Sequence, residues 1–217
     1  MERVVCLLIG YVFGLFETSY FIGKIYKTDI RQHGSGNAGT TNALRTFGRK
    51  AGALTLLGDC MKCIAAVMAA VALFSGSAPE ILPLLKIYAA AGCILGHNFP
   101  FYMGFRGGKG FAASVGMAWA IDWRLLLICL AVFLIIFFTM HYVSLGAMIC
   151  YVVALVLMII RGQMGYYGMD QIHLCEFYGV MLLLTILIFW RHKENIKRLL
   201  AGTESKVYLS KSTKKKF

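Results

Sequence analysis

Apolar runs and polar stretches alternate sharply along this chain. The runs cover 4–22, 51–74, 81–96, 111–121, 125–140, 142–160 and 172–190. Near-continuous apolarity over such lengths predicts membrane helices, about seven in all. The run 111–121 is too short to cross a hydrocarbon core of about 30 Å as a straight helix, so it predicts a short or tilted one. Counting crossings places the polar stretches 24–50 and 96–110 and the tail from about residue 191 on one side of the bilayer. The expected fold is therefore an all-α integral membrane protein, one polytopic domain over 1–217 with no internal repeat.

Within the spans, three charged residues stand out. Glu17 lies near the inner end of the first run, where a carboxylate can reach the interface; deeper in the membrane it would be a functional candidate. Asp59 and Lys62 are three apart on one helix face, which suits a local ion pair or the orientation of a neighbouring loop.

Composition narrows the class. A 217-residue chain that is 59% hydrophobic and 15% charged, with mean hydropathy +0.70, lies outside the soluble range. The net charge of +12 suggests nucleic acid only until its cations are placed. Six fall in 24–50, nine in 191–217, and only Arg124 and Arg161 in the loops on the opposite side. That is a topological bias, with the N-terminus outside and the C-terminus cytoplasmic, and it explains the cations better than a nucleic-acid surface does. The first run lacks a small-residue cleavage site and reads as a retained helix. Seven cysteines, nearly all in apolar runs, read as small buried hydrophobes, and Cys60-Met61-Lys62-Cys63 lacks the further ligands of a zinc site. No metal or cofactor is expected.

Candidate chemistry lies in the three polar stretches. The central one, Gly96-His97-Asn98-Phe99-Pro100 through Arg106-Gly107-Gly108-Lys109-Gly110, combines glycines with two cations, the composition of a phosphate cradle or of a plain turn with positive anchors. It is no Walker A motif, since Met103 stands at the first glycine position and Gly110 at the Ser or Thr position. The first stretch, Gly34-Ser35-Gly36-Asn37-Ala38-Gly39-Thr40-Thr41-Asn42 with Arg45, imitates a dinucleotide fingerprint, but no strand precedes it. The third is His192 to Arg198, in which His192 is either a general base or an interfacial anchor beside Trp190.

These residues resemble the bacterial acyl-phosphate:glycerol-3-phosphate acyltransferase family. Its three motifs match in order: Gly34 to Asn42 with Arg45, Asp59 and Lys62; Gly96 to Gly110; and His192, Asn195 and Arg198 followed by Gly202 and Glu204. Thr40, Cys63, Phe111-Ala112-Ala113 and His141 depart from the usual pattern, the last standing where an arginine usually precedes Tyr-Val-Ser. The resemblance implies a seven-helix fold in the bacterial inner membrane with a cytoplasmic site. The substrates implied are acyl phosphate and glycerol-3-phosphate, with no metal or coenzyme A, and the product is lysophosphatidic acid. The expected catalytic residues are Ser35, Lys109, His192 and Asn195. Asn37, Asn42, Arg45, His97, Arg106, Gly107, Gly108, Gly110 and Ser144 are expected to bind substrate phosphate.

Acyl phosphate is a mixed anhydride and is already activated, so the protein must chiefly orient a hydroxyl and neutralise charge. No histidine has the His-x-x-x-x-Asp partner of soluble acyl-CoA acyltransferases, and nothing marks Ser35 as part of a nucleophilic triad. A transporter for a phosphorylated solute is the alternative, but the chain has no paired, interrupted halves.

The charge bias makes the topology testable. Cysteine introduced at Ser77 or Gln163 is expected to react with an impermeant thiol reagent added to intact cells, and cysteine at Ser35 or Thr203 is not. The opposite labelling pattern would place the polar stretches outside.

Overall fold

The computed structural model describes residues 1–208, and the tail cations beyond Tyr208 lie outside the described residues. The chain forms ten α-helices among those residues: α1 (Glu2–Gly14), α2 (Thr18–Ile25), α3 (Thr40–Phe47), α4 (Arg49–Phe74), α5 (Leu82–Asn98), α6 (Phe111–Ile121), α7 (Trp123–Met140), α8 (Val143–Gln163), α9 (Gln171–Arg191) and α10 (Lys193–Leu200). Six segments are long and apolar enough to cross a membrane: Glu2–Ile25, Arg49–Phe74, Pro79–Met103, Trp123–Met140, Val143–Gln163 and Gln171–Arg191. The seventh expected crossing, α6, has 11 residues and rises about 17 Å, roughly half of a hydrocarbon core.

The first span is not one helix. It breaks after Gly14 and resumes at Thr18, with Glu17 in an extended conformation between the two pieces. A break inside a membrane span leaves backbone carbonyls without helical partners, and Lys62 supplies one by donating from Nζ to Phe16 O at 2.8 Å. Glu17 therefore does not reach the interface, as its position in the run suggested. It is fully buried, because the break turns it inward against α4 and α5.

Helices α1 and α5 touch backbone to backbone. A Cβ added at Gly92 would stand 2.0 Å from Leu7 O, one at Gly96 2.3 Å from Tyr11 O, and one at Gly10 2.0 Å from Ala89 O. Hydrophobic burial gives lipid-embedded helices little reason to associate, so close packing along small-residue stripes has to hold them. Gly10/Gly14 and Gly92/Gly96 are two such four-residue spacings facing each other. At the end remote from the polar stretches, Arg3 donates to both oxygens of Glu176 at 2.6 and 2.8 Å, and Tyr88 donates to the same carboxylate at 2.8 Å, clasping α1, α5 and α9.

The short α6 ends at Asp122, whose carboxylate caps α7 by accepting from Arg124 N at 3.0 Å. The same buried carboxylate lies 2.7 Å from Arg161 Nε, and the Arg161 guanidinium covers the Tyr166 ring at 3.7 Å. A charged turn so close to the bilayer interior needs such a partner.

The helix contact yields a stability test. Gly92→Ala puts a methyl into the Leu7 carbonyl and is expected to destabilise the detergent-solubilised protein by about 1–3 kcal/mol or more, the range for overpacking. Gly76→Ala, where no atom lies within 4 Å, is expected to leave the thermal midpoint unchanged.

Candidate functional site

The three polar stretches converge at one end of the bundle. In the first, Asn42 organises the loop: its Oδ1 accepts from Ser35 N at 3.0 Å, and its Nδ2 donates to His33 O at 2.9 Å and Ile30 O at 3.2 Å. With every amide group so engaged, Asn42 holds the segment that presents Ser35 and has no donor left for a phosphate. Ser35 itself is exposed and Asn37 half-buried. Arg31 ties this loop to the central one by donating to Met103 O at 2.7 Å while paired with Asp29.

The central loop doubles back on the end of α5. Gly107 N donates to Asn98 O at 3.2 Å and Gly108 N to His97 O at 3.0 Å. The expected cradle of free glycine N–H groups is thus corrected, because at 107 and 108 these donors are spent inside the loop. What glycine provides there is proximity, since a Cβ on Gly108 would lie 2.0 Å from His97 Nε2. The two carbonyls accept from Arg191 Nη2, at 3.2 Å for Gly107 and 2.6 Å for Gly108. Donors for an anion lie one step further on. Gly110, at φ +87°, begins α6, and the first helical N–H to find an intrahelical partner is that of Ser114, on Gly110 O at 2.9 Å. The N–H groups of 111–113 are left for a ligand or water, at the positive end of the helix dipole. Arg106 is exposed on the loop surface, apart from this cluster.

Lys109 points from this loop into the third stretch, donating from Nζ to Asn195 Oδ1. Glu204 is the hub of the group. Its Oε1 accepts from Asn195 Nδ2 at 2.6 Å and Ser144 Oγ at 2.7 Å, and its Oε2 from Arg198 Nε at 2.8 Å. Arg45 reaches the same segment, donating to Ser205 O at 3.3 Å. Burial alone would raise the Glu204 carboxyl, but the three hydrogen bonds hold it below the ordinary range. Glu204 belongs to the third family motif but gains no role from the sequence, since a carboxylate in a cation-rich stretch does not declare its partners. His141, in place of the usual arginine, anchors this segment through Val207 N on its carbonyl at 2.9 Å and ring contact with Tyr208.

His192 is buried beneath Lys109 and Glu204. Its Nδ1 lies 2.9 Å from Ile188 O, and a carbonyl only accepts, so Nδ1 carries the hydrogen and Nε2 keeps a lone pair. Burial, with the Lys109 charge beside it, pulls its pKa down to about 4, so the ring is neutral at pH 7. Burial also pulls Lys109 down to about 8, with Arg198, Arg191 and Arg45 adding repulsion and Glu204 opposing. Arg45 stands at the exposed rim of this group. Several cations around one carboxylate form a site that awaits further negative charge, with a neutral imidazole at its edge.

The structure therefore brings together Lys109, Arg45, Ser144, His192 and Asn195, places His97, Gly107, Gly108 and Gly110 directly under them, and leaves Ser35, Asn37 and Arg106 toward solvent. No contact joins the Ser35 hydroxyl to Lys109 or His192 among the described residues.

Residues 4–202 match the family model described as glycerol-3-phosphate acyltransferase. Glycerol-3-phosphate acyltransferases of Clostridioides difficile (strain 630) and Shouchella clausii (strain KSM-K16) are 40% and 41% identical, over 94% and 95% of this chain and 95% and 97% of theirs. A crystal structure of PlsY (YgiH), an integral membrane glycerol 3-phosphate acyltransferase in its glycerol 3-phosphate form, is similar with a TM-score of 0.82 and 29% identity, each chain covered to 96%. With relatives matched nearly end to end and a site built from all three polar stretches, the chain belongs to the glycerol-3-phosphate acyltransferase family.

Proposed function

We propose that this protein transfers a fatty acyl group from acyl phosphate to the 1-hydroxyl of glycerol-3-phosphate, giving lysophosphatidic acid and inorganic phosphate, the first step of phospholipid synthesis. Family membership supports the acyltransferase activity and the acceptor. The observation that carries the donor is the cluster of Lys109, Arg45 and Arg198 around a single carboxylate at the end of the bundle, with the α6 N-terminus beside it. Two phosphates brought to one place need such an excess of cations and N–H groups.

In this reading the glycerol oxygen attacks the acyl carbonyl carbon, and the carbon–oxygen bond to phosphate breaks. The hydroxyl proton passes to His192 Nε2 or to a phosphate oxygen of the substrate. Lys109 neutralises charge that grows on the departing phosphate, Asn195 orients Lys109, and Arg45 holds a second phosphate. Ser35, Asn37 and Arg106 serve at the open face, with Ser35 as a hydrogen-bond donor; its exposed position beside no base argues against an acyl-enzyme. Asn42 and Ser144 act by holding the Ser35 loop and Glu204, and His97 by supporting the turn. The charge bias supports a cytoplasmic site in the bacterial inner membrane.

Purified protein given labelled glycerol-3-phosphate is expected to turn over with palmitoyl phosphate and not with palmitoyl-CoA. Robust activity with the thioester alone would refute the donor assignment.

Lys109→Met keeps the apolar stem and removes the charge. It is expected to lower kcat by about 100-fold or more, comparable to losing one oxyanion donor, with little recovery in Lys109→Arg. An unchanged kcat in well-inserted Lys109→Met protein would mean that phosphate binds elsewhere.

The pH profile follows from the same pair. Lys109 must be charged, so kcat/KM is expected to fall as pH rises through about 8; His192 must be neutral, so it falls as pH drops through about 4. A profile flat from pH 7 to 10 would show that the Lys109 charge is not required.

A further inference from the structure

Below the central turn lies a group of buried ionisable side chains that take no direct part in the reaction. Glu17, Asp59, Lys62 and His97 come from the break in the first span, from α4 and from α5, and each is at most 6% exposed. Lys62 Nζ stands 3.0 Å from Asp59 Oδ1, 2.8 Å from Phe16 O, 3.7 Å from Glu17 Oε1 and 2.8 Å from His97 Nδ1. Thr18 completes the Asp59 contact, donating at 3.1 Å.

An ammonium has no lone pair, so at 2.8 Å it can only donate to His97 Nδ1. That makes Nδ1 the acceptor and leaves the ring hydrogen on Nε2. Glu17 Oε1 is also 2.8 Å from Nδ1 but makes no hydrogen bond there, and the one lone pair of Nδ1 is taken by Lys62. The opposite arrangement, with Nδ1–H donated to a Glu17 carboxylate, would set two N–H donors against each other in a buried site. The point where a Gly108 Cβ would lie is 2.0 Å from Nε2 and 2.8 Å from Ala38 O, so Nε2 faces the place where the central turn and the first polar loop meet.

We propose that Lys62 is a positioning residue for acyl transfer: it fixes His97 as an Nε2–H donor beneath Gly108, and that donor keeps the first and central loops in register around the phosphate. This rests on the central loop being the phosphate site. It gives the Lys62–Asp59 pair a task beyond neutralising itself, which local pairing alone would not require.

Histidine-15N spectra of the whole protein in detergent read the tautomer directly. Wild type is expected to show His97, assigned by its loss in His97→Gln, with an unprotonated Nδ1 and a protonated Nε2. Asp59→Asn with Lys62→Met removes one charge of each sign, so no lone buried ion is created. With the ammonium gone, nothing holds Nδ1 as the acceptor, so the single tautomer should be lost, and KM for glycerol-3-phosphate should rise about tenfold with kcat within about twofold, a loss of binding felt equally in ground and transition states. Glu17→Gln should retain both the wild-type tautomer and its KM. Should the double variant not fold, Lys62→Arg, which displaces the donor nitrogen, is expected to give mixed tautomers and a raised KM. A wild-type ring protonated at Nδ1, a tautomer switch in Glu17→Gln, or a lowered thermal midpoint with unchanged KM would each overturn the proposal. Lys109→Met assayed in parallel separates the two readings: if it is impaired while the double variant keeps its KM, only the role of Lys62 fails, and if neither changes, the phosphate site itself is misplaced.

Discussion

A polar group inside a bilayer has to be satisfied by the protein itself, and much of this site's architecture follows from how Lys62 meets that demand. The first span breaks at Leu15–Glu17, which frees Phe16 O and drives Glu17 into the bundle. One ammonium answers both, and through Asp59 and His97 it joins the first span, α4 and α5 at the level of the central loop. A hydrophobic residue in its place would leave two carboxyl groups and a carbonyl without a cation. The cost of leaving such groups unpaired in hydrocarbon is what makes the arrangement rigid.

Rigidity at the break needs a fixed neighbour, and the glycine contact between α1 and α5 supplies it. Gly14, the last residue of α1, packs on Cys93 O and Gly96, one residue before His97. Close backbone packing therefore ends where the charged cluster begins. The loop after α5 folds back onto His97 O and Asn98 O, so the position of Lys109 depends on α5, and that of α5 on α1. Arg191 closes the arrangement from α9 by taking the two glycine carbonyls.

The spans were legible because apolarity over twenty residues has one physical outcome in lipid, and the short α6 was legible because 11 apolar residues do not reach across. The convergence of the three polar stretches followed from counting crossings. Other features depend on contacts between segments far apart in sequence. Hydropathy scores Gly10, Gly14, Gly92 and Gly96 as unremarkable small residues, and only the approach of two helices gives them meaning. Glu17 looked close enough to the edge to escape, since nothing local announces a break in an apolar run. The glycines at 107 and 108 suggested free N–H groups, whereas the loop's return to α5 uses those donors and turns the glycines into spacers under which His97 fits. Asn42 and Ser144 looked like ligands for phosphate because an amide or hydroxyl in a loop does not declare its partner. Both hold other site residues in place.

The short helix α6 has a reason in the proposed chemistry. In that reaction glycerol-3-phosphate arrives from water, whereas the acyl chain of the other substrate belongs among the lipid tails, so the reacting carbonyl and its phosphate must meet at the boundary. A helix of full spanning length would carry its N-terminus, and Lys109 with it, out to the level of the lipid headgroups. With about 17 Å of rise, α6 can instead start well inside that level, its far end held by the Asp122–Arg161 pair where the chain turns back. The N–H groups at its start and the half-buried Lys109 ammonium then lie in surroundings drier than the surface. There a fixed positive charge acts more strongly on a developing anion than it would in water. The same dryness depresses the Lys109 pKa toward about 8, so the environment that strengthens the cation also brings it close to losing its proton. Glu204 offsets part of that cost. It stands near enough to favour the charged lysine, while its own oxygens are taken up by Asn195, Ser144 and Arg198 and do not quench the ammonium by direct contact.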